Sequence, residues 1–342
     1  MRPLVSILIP AFNAEAWIAD TLRSAVAQTW PQKEIIVVDD GSRDATLEVA
    51  RRFASEGVRI FTQENQGAAA ARNKAFSLSQ GDYIQWLDAD DLLAPDKVSR
   101  QMEVLDRVSS KRTLLSSAWG RFLYRYYRAK FVPSALWHDL TPLEWLLRSM
   151  EQNLHMQTAT WLVSREITEA AGPWDTRLLV DDDGEYFCRV LLASNNIRFV
   201  PESKVYYRAS GSSSLSYIGR SDRKIQAQFL SMQLRIKYLR SLEESERVRA
   251  ACVTYLQAWL THFYPERMDI VEQAQRIARE LGGTLKAPPL SWKYSWMKPI
   301  FGWHLTKRAQ VSLPNLRWAL ARYWDRTLFE LEHRNLADNL VL

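Results

Sequence analysis

Apolar positions along the first hundred residues switch between two periods. Val5-Ser6-Ile7-Leu8-Ile9-Pro10 is an apolar run of strand length. Glu15 to Gln28 then sets Trp17, Ile18, Leu22, Ala25 and Val26 at helical spacing. The alternation repeats: a strand over Glu34–Val38, a helix over Asp44–Phe53, a strand over Val58–Phe61, an alanine-rich helix over Gly67–Ser79, and an aromatic strand over Tyr83–Leu87. Strand and helix in strict alternation predict an α/β domain with a mostly parallel central sheet, flanked by helices through right-handed crossovers.

The pattern continues less regularly. It predicts a helix over Pro95–Ser109, a strand over Leu114–Trp119, and a helix begun by Thr141-Pro142, with proline at the first helical position. Thr158–Val163 reads as a strand and Arg165–Ala171 as a short helix ended by Gly172-Pro173. After Gly184 comes an amphipathic helix with Tyr186, Phe187, Val190 and Leu191 on its apolar face, then an extended stretch over Ile197–Tyr207. Beyond Gly219 only helical patterns remain. The expected organisation is an alternating half over 1–110, a less regular half of the same domain over 111–218, and a helical C-terminal extension over 219–342.

Composition narrows this picture a little. A net charge of +6 over 342 residues fits an anionic ligand or surface without choosing between them. There are two cysteines, Cys188 and Cys252; Cys188 lies within an apolar helical pattern and reads as a buried thiol. No disulfide framework or zinc spacing is present, as expected for a reducing, cytoplasmic setting. The apolar run Leu4–Pro10 is too short for a signal peptide, and no run is long enough to span a bilayer. The chain lacks a Gly-x-Gly-x-x-Gly turn and a Walker loop, which counts against a dinucleotide fold and a P-loop NTPase, and it lacks an RNA-binding aromatic signature, so no nucleic-acid partner is expected.

The candidate chemistry sits where strands end. Asp88-Ala89-Asp90-Asp91 follows the Tyr83–Leu87 strand, and Asp39-Asp40-Gly41-Ser42 ends the second strand. Parallel strands put both sets on one rim, where open α/β sheets bind ligands. Clustered carboxylates repel, and a hard divalent cation, Mg²⁺ or Mn²⁺, would offset that while carrying phosphates on its other face. An acidic turn capping the following helix remains the alternative.

Together these residues resemble the nucleotide half of family 2 glycosyltransferases: Val5 to Asn13, Asp39-Asp40-Gly41-Ser42, Gly67 through Ala71-Arg72-Asn73, and Trp86-Leu87-Asp88-Ala89-Asp90-Asp91. A weaker match continues through Gly172-Pro173-Trp174-Asp175, Asp182-Asp183 and Val205-Tyr206-Tyr207-Arg208. The resemblance implies the glycosyltransferase A fold, a nucleotide-sugar donor, a divalent metal and inversion at the anomeric carbon. It makes 1–110 the nucleotide-sugar-binding half and 111–218 the acceptor and catalytic half, and places Pro10, Phe12, Asn13, Asp39, Asp40 and Arg72 around the nucleotide, with Phe12 against the base and Asp40 accepting from the uracil ring. It implies metal contact by Asp90, with Asp88 nearer the ribose or the metal's water shell and Asp91 as an extra ligand. It implies that Asp183 is the catalytic base. Where many members carry a histidine after Tyr207-Arg208, this chain has Ala209-Ser210-Gly211-Ser212 instead, so a third ligand from the protein is in doubt.

The expected function is therefore metal-dependent transfer of a sugar, from a UDP-sugar by preference, to a hydroxyl of a glycan or lipid-linked acceptor. A nucleotidyltransferase or a non-catalytic nucleotide-sugar-binding protein are the alternatives. Trp292, Trp296 and Trp303 interleave with Lys293, Lys298 and Lys307, and Trp318, Tyr323 and Trp324 follow. Such a tail suits peripheral contact with the cytoplasmic face of a membrane, or packing onto the catalytic domain.

Overall fold

The computed structural model describes residues 2–105, 112–209, 221–288 and 318–332. The chain runs β1 (Val5–Ala11), α1 (Ile18–Val26), β2 (Lys33–Asp39), α2 (Thr46–Arg51), β3 (Val58–Thr62), α3 (Ala68–Leu78), β4 (Tyr83–Trp86), β5 (Leu92–Leu93) and α4 (Lys97–Leu105). It continues through β6 (Thr113–Phe122), β7 (Lys130–Phe131), α5 (Pro142–Glu151), β8 (Val163–Ser164), α6 (Arg165–Ala171), α7 (Asp182–Ala193) and β9 (Asn196–Arg208). Helices α8 (Asp222–Leu242), α9 (Glu246–Phe263) and α10 (Met268–Glu280) follow, and a last helix covers 318–332.

The first sheet has the order β3-β2-β1-β4-β8. Strands β1 to β4 are parallel, as the alternating pattern requires, and only β8 runs against its neighbour. The chain builds outward from β1 to β3 and then returns to the other side of β1 with β4. That reversal opens a crevice at the carboxyl ends of β1 and β4, beside the end of β2. Phe12, Asp40 and Asp88 stand at those ends. The second sheet, β5-β9-β6-β7, pairs β6 with β9 in parallel and is irregular between Ser117 and Ala118.

One aromatic cluster joins the halves. Trp174 stacks on Tyr186 at 3.9 Å, and Trp86 meets Trp174 edge-on at 5.3 Å. Helices α8, α9 and α10 bury Phe229, Met232, Cys252, Tyr255 and Val271 in the same core as Trp86 and Tyr186. Both cysteines are free, buried thiols, as expected for Cys188.

One expected element changes form. The strand over Thr158–Val163 is instead a 3₁₀ turn at Thr158–Thr160 followed by the short β8. Gln157 imposes the turn: its side chain accepts from the Ala159 N–H at 2.7 Å, and its carbonyl accepts from the Thr160 hydroxyl at 2.6 Å. Local side-chain bonds of this kind compete with a sheet ladder.

Candidate active site

At its carboxyl end β1 is buried through Pro10 and Ala11, and the chain emerges at Phe12, which is 45% exposed. Phe12 is therefore a free aromatic face at the crevice, not a core side chain. Asn13 adopts φ 47° and secures the opposite loop: its side chain accepts from the Arg43 N–H and its own N–H donates to the Ser42 hydroxyl, both at 2.9 Å. Gly41, at φ +71°, lies so close to the main chain of Asn65 that a Cβ there would stand 2.9 Å from the Asn65 nitrogen.

Asp39 and Asp40 are both buried but differ in what they do. The Asp40 carboxylate accepts from the Gln63 amide (2.7 Å), the Gln66 N–H (2.9 Å) and the Gly67 N–H (2.8 Å). It is spent on holding the loop that leads into α3. In Asp39, Oδ2 accepts from the Ser42 N–H at 3.2 Å, while Oδ1 is buried with no partner. A buried, unpartnered acceptor is costly unless a ligand completes it.

The turn after β4 is pinned on both sides. The Thr21 hydroxyl donates to the Ala89 carbonyl at 2.9 Å, and the Arg208 guanidinium donates to the Asp90 carbonyl at 2.8 Å. Asp91 points inward: its carboxylate accepts from the Arg208 N–H at 2.8 Å and from the Gln157 amide. Burial holds its pKa well above the usual carboxylate range, with Asp90 and Asp88 adding to the effect. Both carboxylate oxygens of Asp91, the expected extra metal ligand, are thus engaged in ties to β9 and to the Gln157 turn.

Arg72 is the hub. It is buried on α3 and donates to Asp88 at 2.8 Å and to Asp182 at 2.5 Å, with its guanidinium 4.3 Å from the Trp174 ring centre. A planar fork can hold two carboxylates in this way where an ammonium cannot. A solvated helix charge is therefore excluded. The same guanidinium brings together two acidic turns that lie 94 residues apart in sequence.

Asp182 and Asp183 occupy the first turn of α7, and the residue preceding the helix is Asp181, in a left-handed conformation (φ 54°). Helix α8 secures Asp181 through the Ser231 hydroxyl (2.6 Å), the Gln228 amide (3.2 Å) and Arg235 (3.3 Å). Asp183 accepts from the Thr158 hydroxyl at 3.3 Å and from the Gly184 N–H at 2.8 Å. A helix N-terminus favours a carboxylate anion. Burial outweighs it here, and with the charges of Asp182 and Asp181 it pushes Asp183 up to about 7. A carboxyl poised near neutrality can accept a proton from an alcohol as a bond forms.

The donor set suits a hard cation completed by substrate. Mg²⁺-type sites use one or two carboxylates together with phosphate oxygens. Asp90 and Asp88 supply that number, with Asp88 also tied to Arg72. Among the described residues, no group of three or more His, Cys, Asp or Glu could hold a metal unaided. The serine-rich segment after Ala209 lies outside the described residues.

Several contributors had no signal in sequence. Gln157, Thr158, Ser231 and Arg235 belong to stretches without a motif, and each acts through a contact distant in sequence. Arg208 carried a signal: it is a lone cation closing the apolar run that ends β9, now buried between the Trp17 and Phe122 rings. The tail residues up to Arg317 lie outside the described residues. The helix over 318–332 docks through Asp325, which accepts from Arg125 at 2.8 Å, and through Phe329 against Tyr124. Tyr323 and Trp324 remain 69% and 64% exposed.

Comparison with known proteins agrees with this geometry. Residues 6–138 match the family described as Glycosyl transferase family 2. The putative teichuronic acid biosynthesis glycosyltransferase TuaG of Bacillus subtilis is 41% identical over 107 residues, 30% of this chain and 42% of that protein. An uncharacterized glycosyltransferase of Rickettsia typhi is 28% identical over 193 residues, 56% of this chain and 60% of that one. The chain thus spans less than two thirds of these relatives. Among solved structures, S. aureus TarS 1–349 in complex with UDP-GlcNAc superposes with a TM-score of 0.65 at 16% identity, over 90% of this chain and 92% of that one. The mannosyltransferase PcManGT of Pyrobaculum calidifontis, in complex with GDP-Man and Mn²⁺, gives 0.53 at 16% identity, over 95% and 88%. The expected glycosyltransferase A fold is the fold observed.

Proposed function

With residues 6–138 a family 2 glycosyltransferase domain, we propose that the chain is an inverting transferase. It moves a sugar from a nucleoside diphosphate donor, UDP-linked by preference, to a hydroxyl of a glycan or lipid-linked acceptor. The observation that carries this reading is the Arg72 bridge, which unites the Asp88 turn with the Asp182-Asp183 turn around one cation. Donor ligands and base then stand on either side of a single reaction centre.

The base of the nucleotide stacks on Phe12. The resemblance gives the uracil N–H to Asp40, whose carboxylate already accepts three bonds from the 63–67 loop; we assign that bond instead to Asp39 Oδ1, which has no partner. Asp90, with Asp88, would hold a divalent cation shared with the diphosphate. Such an ion supplies Lewis-acid stabilisation of the leaving group. On the other side the acceptor hydroxyl attacks the anomeric carbon as its proton passes to Asp183. The bond to the diphosphate breaks on the opposite face, and the configuration inverts.

Calorimetric titration with UDP tests the donor half. With Mn²⁺ present, wild type should bind, and Asp90→Ala should bind no better than wild type without metal. Asp39→Asn should weaken UDP about tenfold, the weight of a hydrogen bond to a charged group. Unchanged UDP affinity in both variants would remove the donor assignment.

Peripheral attachment to an anionic membrane surface is part of the same proposal. No helix of the described residues is long and apolar enough to cross a membrane. Exposed Trp318, Tyr323 and Trp324 suit the interface instead. In flotation, the full chain should rise with anionic vesicles at low salt and stay down at high salt. Sedimentation in both conditions would assign the tail to packing alone.

A further inference from the structure

One row of side chains crosses β9, β6 and β7. Tyr207 is the register partner of Arg121, and Arg121 that of Lys130. Directly opposed residues share a face of the sheet, and Trp119, two positions before Arg121, lies on that face as well. The row starts at the reaction centre, because the next residue after Tyr207 gives its N–H to Asp91.

Aromatic rings gather at the inner end. Trp119 meets the edge of Tyr207 at 5.8 Å and tilts against His155 at 5.4 Å. His155 is exposed and stands just before Gln157, bonded to Asp91, and Thr158, bonded to Asp183. The rings therefore stand beside the turn whose side chains reach Asp91 and Asp183.

Cations occupy the outer end. The Arg121 guanidinium lies 5.7 Å from the Tyr207 ring centre. Arg121 and Lys130 are exposed, and neither has a carboxylate partner among the described residues. Nearby Arg125 differs: Asp325 and Glu332 both pair with it. Like charges directly opposite destabilise a strand pair. Lysine on an edge strand guards against unwanted pairing, which accounts for Lys130 alone. It does not account for Arg121 on the inner strand, laid over an aromatic ring that leads to the catalytic turn.

We propose that this face is the acceptor subsite and that the acceptor is an anionic glycan. A sugar ring lies on Trp119 and His155 with its hydroxyl toward Asp183, while a carboxylate or phosphate on the glycan reaches Arg121 and Lys130. This rests on the transferase reading above. Aromatic faces with a few convergent polar groups are the usual composition of such sites, and Arg is matched to either anion.

The test is equilibrium binding of three oligosaccharides to the full chain: a neutral maltooligosaccharide, its phosphorylated form, and an oligoglucuronate. UDP affinity is measured on the same samples. At least one anionic probe should bind about tenfold or more tighter than the neutral one, the range of one charge-assisted contact. Arg121→Gln combined with Lys130→Gln should bring it down to the neutral level, and Trp119→Ala should weaken all three. The two anionic arms tell carboxylate from phosphate. Lys204→Gln with Arg128→Gln removes the same charge elsewhere and should leave the preference in place. The proposal is overturned if the neutral probe binds equally well, if no probe binds, or if the control pair acts as strongly as the Arg121 and Lys130 pair. UDP binding retained alongside any of these results would confine the failure to the acceptor assignment, and loss of UDP binding in wild type would instead reject the transferase reading.

Discussion

Asp183→Asn should abolish sugar transfer and leave UDP affinity as it was. Asparagine keeps the size, and its oxygen can still accept from the Gly184 N–H while its NH₂ donates to the Thr158 hydroxyl, but it cannot take a proton. General-base contributions are on the order of a hundredfold to ten-thousandfold, so kcat should fall by at least about a hundredfold. Wild-type kcat/KM should rise with pH and level off above about 7, because the base works only when ionised and its carboxyl is pushed up to about 7. The sign for stability runs the other way. A carboxyl whose folded pKa is raised stabilises the protonated protein and costs stability as pH climbs through that value. Asp183→Asn should therefore be at least as stable as wild type at pH 8 in urea unfolding. Turnover within about tenfold of wild type, or a pH profile flat across neutrality, would move the base elsewhere.

Arg72→Met should damage both fold and activity. The guanidinium is the cation that Asp88 and Asp182 share, and Asp182 is raised by burial while Arg72 opposes that rise. Removing one partner of a buried charge cluster costs roughly 3–5 kcal/mol, and the partial exposure of Asp88 puts the expected loss near the lower figure, about 3 kcal/mol. The loss should shrink as pH falls, where the buried Asp182 carboxyl, already raised by burial, takes up a proton. Arg72→Lys should recover part of the stability but not the bridge, since a point charge cannot hold two carboxylates in fork geometry. Activity should fall in both variants because the Asp88 and Asp182 turns are no longer held together. Arg72→Met unfolding at the same urea concentration as wild type at pH 8 would mean the bridge contributes nothing.

The chain's own pattern determined a good deal. The alternation of apolar runs and helical spacing up to Leu87 dictates parallel strands, and parallel strands put Phe12, Asp39-Asp40 and Asp88–Asp91 on one rim whatever the loops do. Those residues are local in sequence to the strands that carry them, so period and order suffice to place them. Tertiary structure alone decided which carboxylate does what. Asp39 and Asp40 are neighbours in a turn, and only the return of the 63–67 loop engages Asp40 while one Asp39 oxygen stays buried and unpartnered. Asp90 and Asp91 are likewise indistinguishable until Gln157 and Arg208 arrive from elsewhere and draw Asp91 inward. The pKa of Asp183 depends on burial beneath elements far away in sequence, and Asp181 beside it is tied down by α8. The physical reason is the same in each case: strand period is a property of adjacent residues, whereas the state of a carboxylate is set by whatever long-range packing brings within about 3–4 Å of its oxygens.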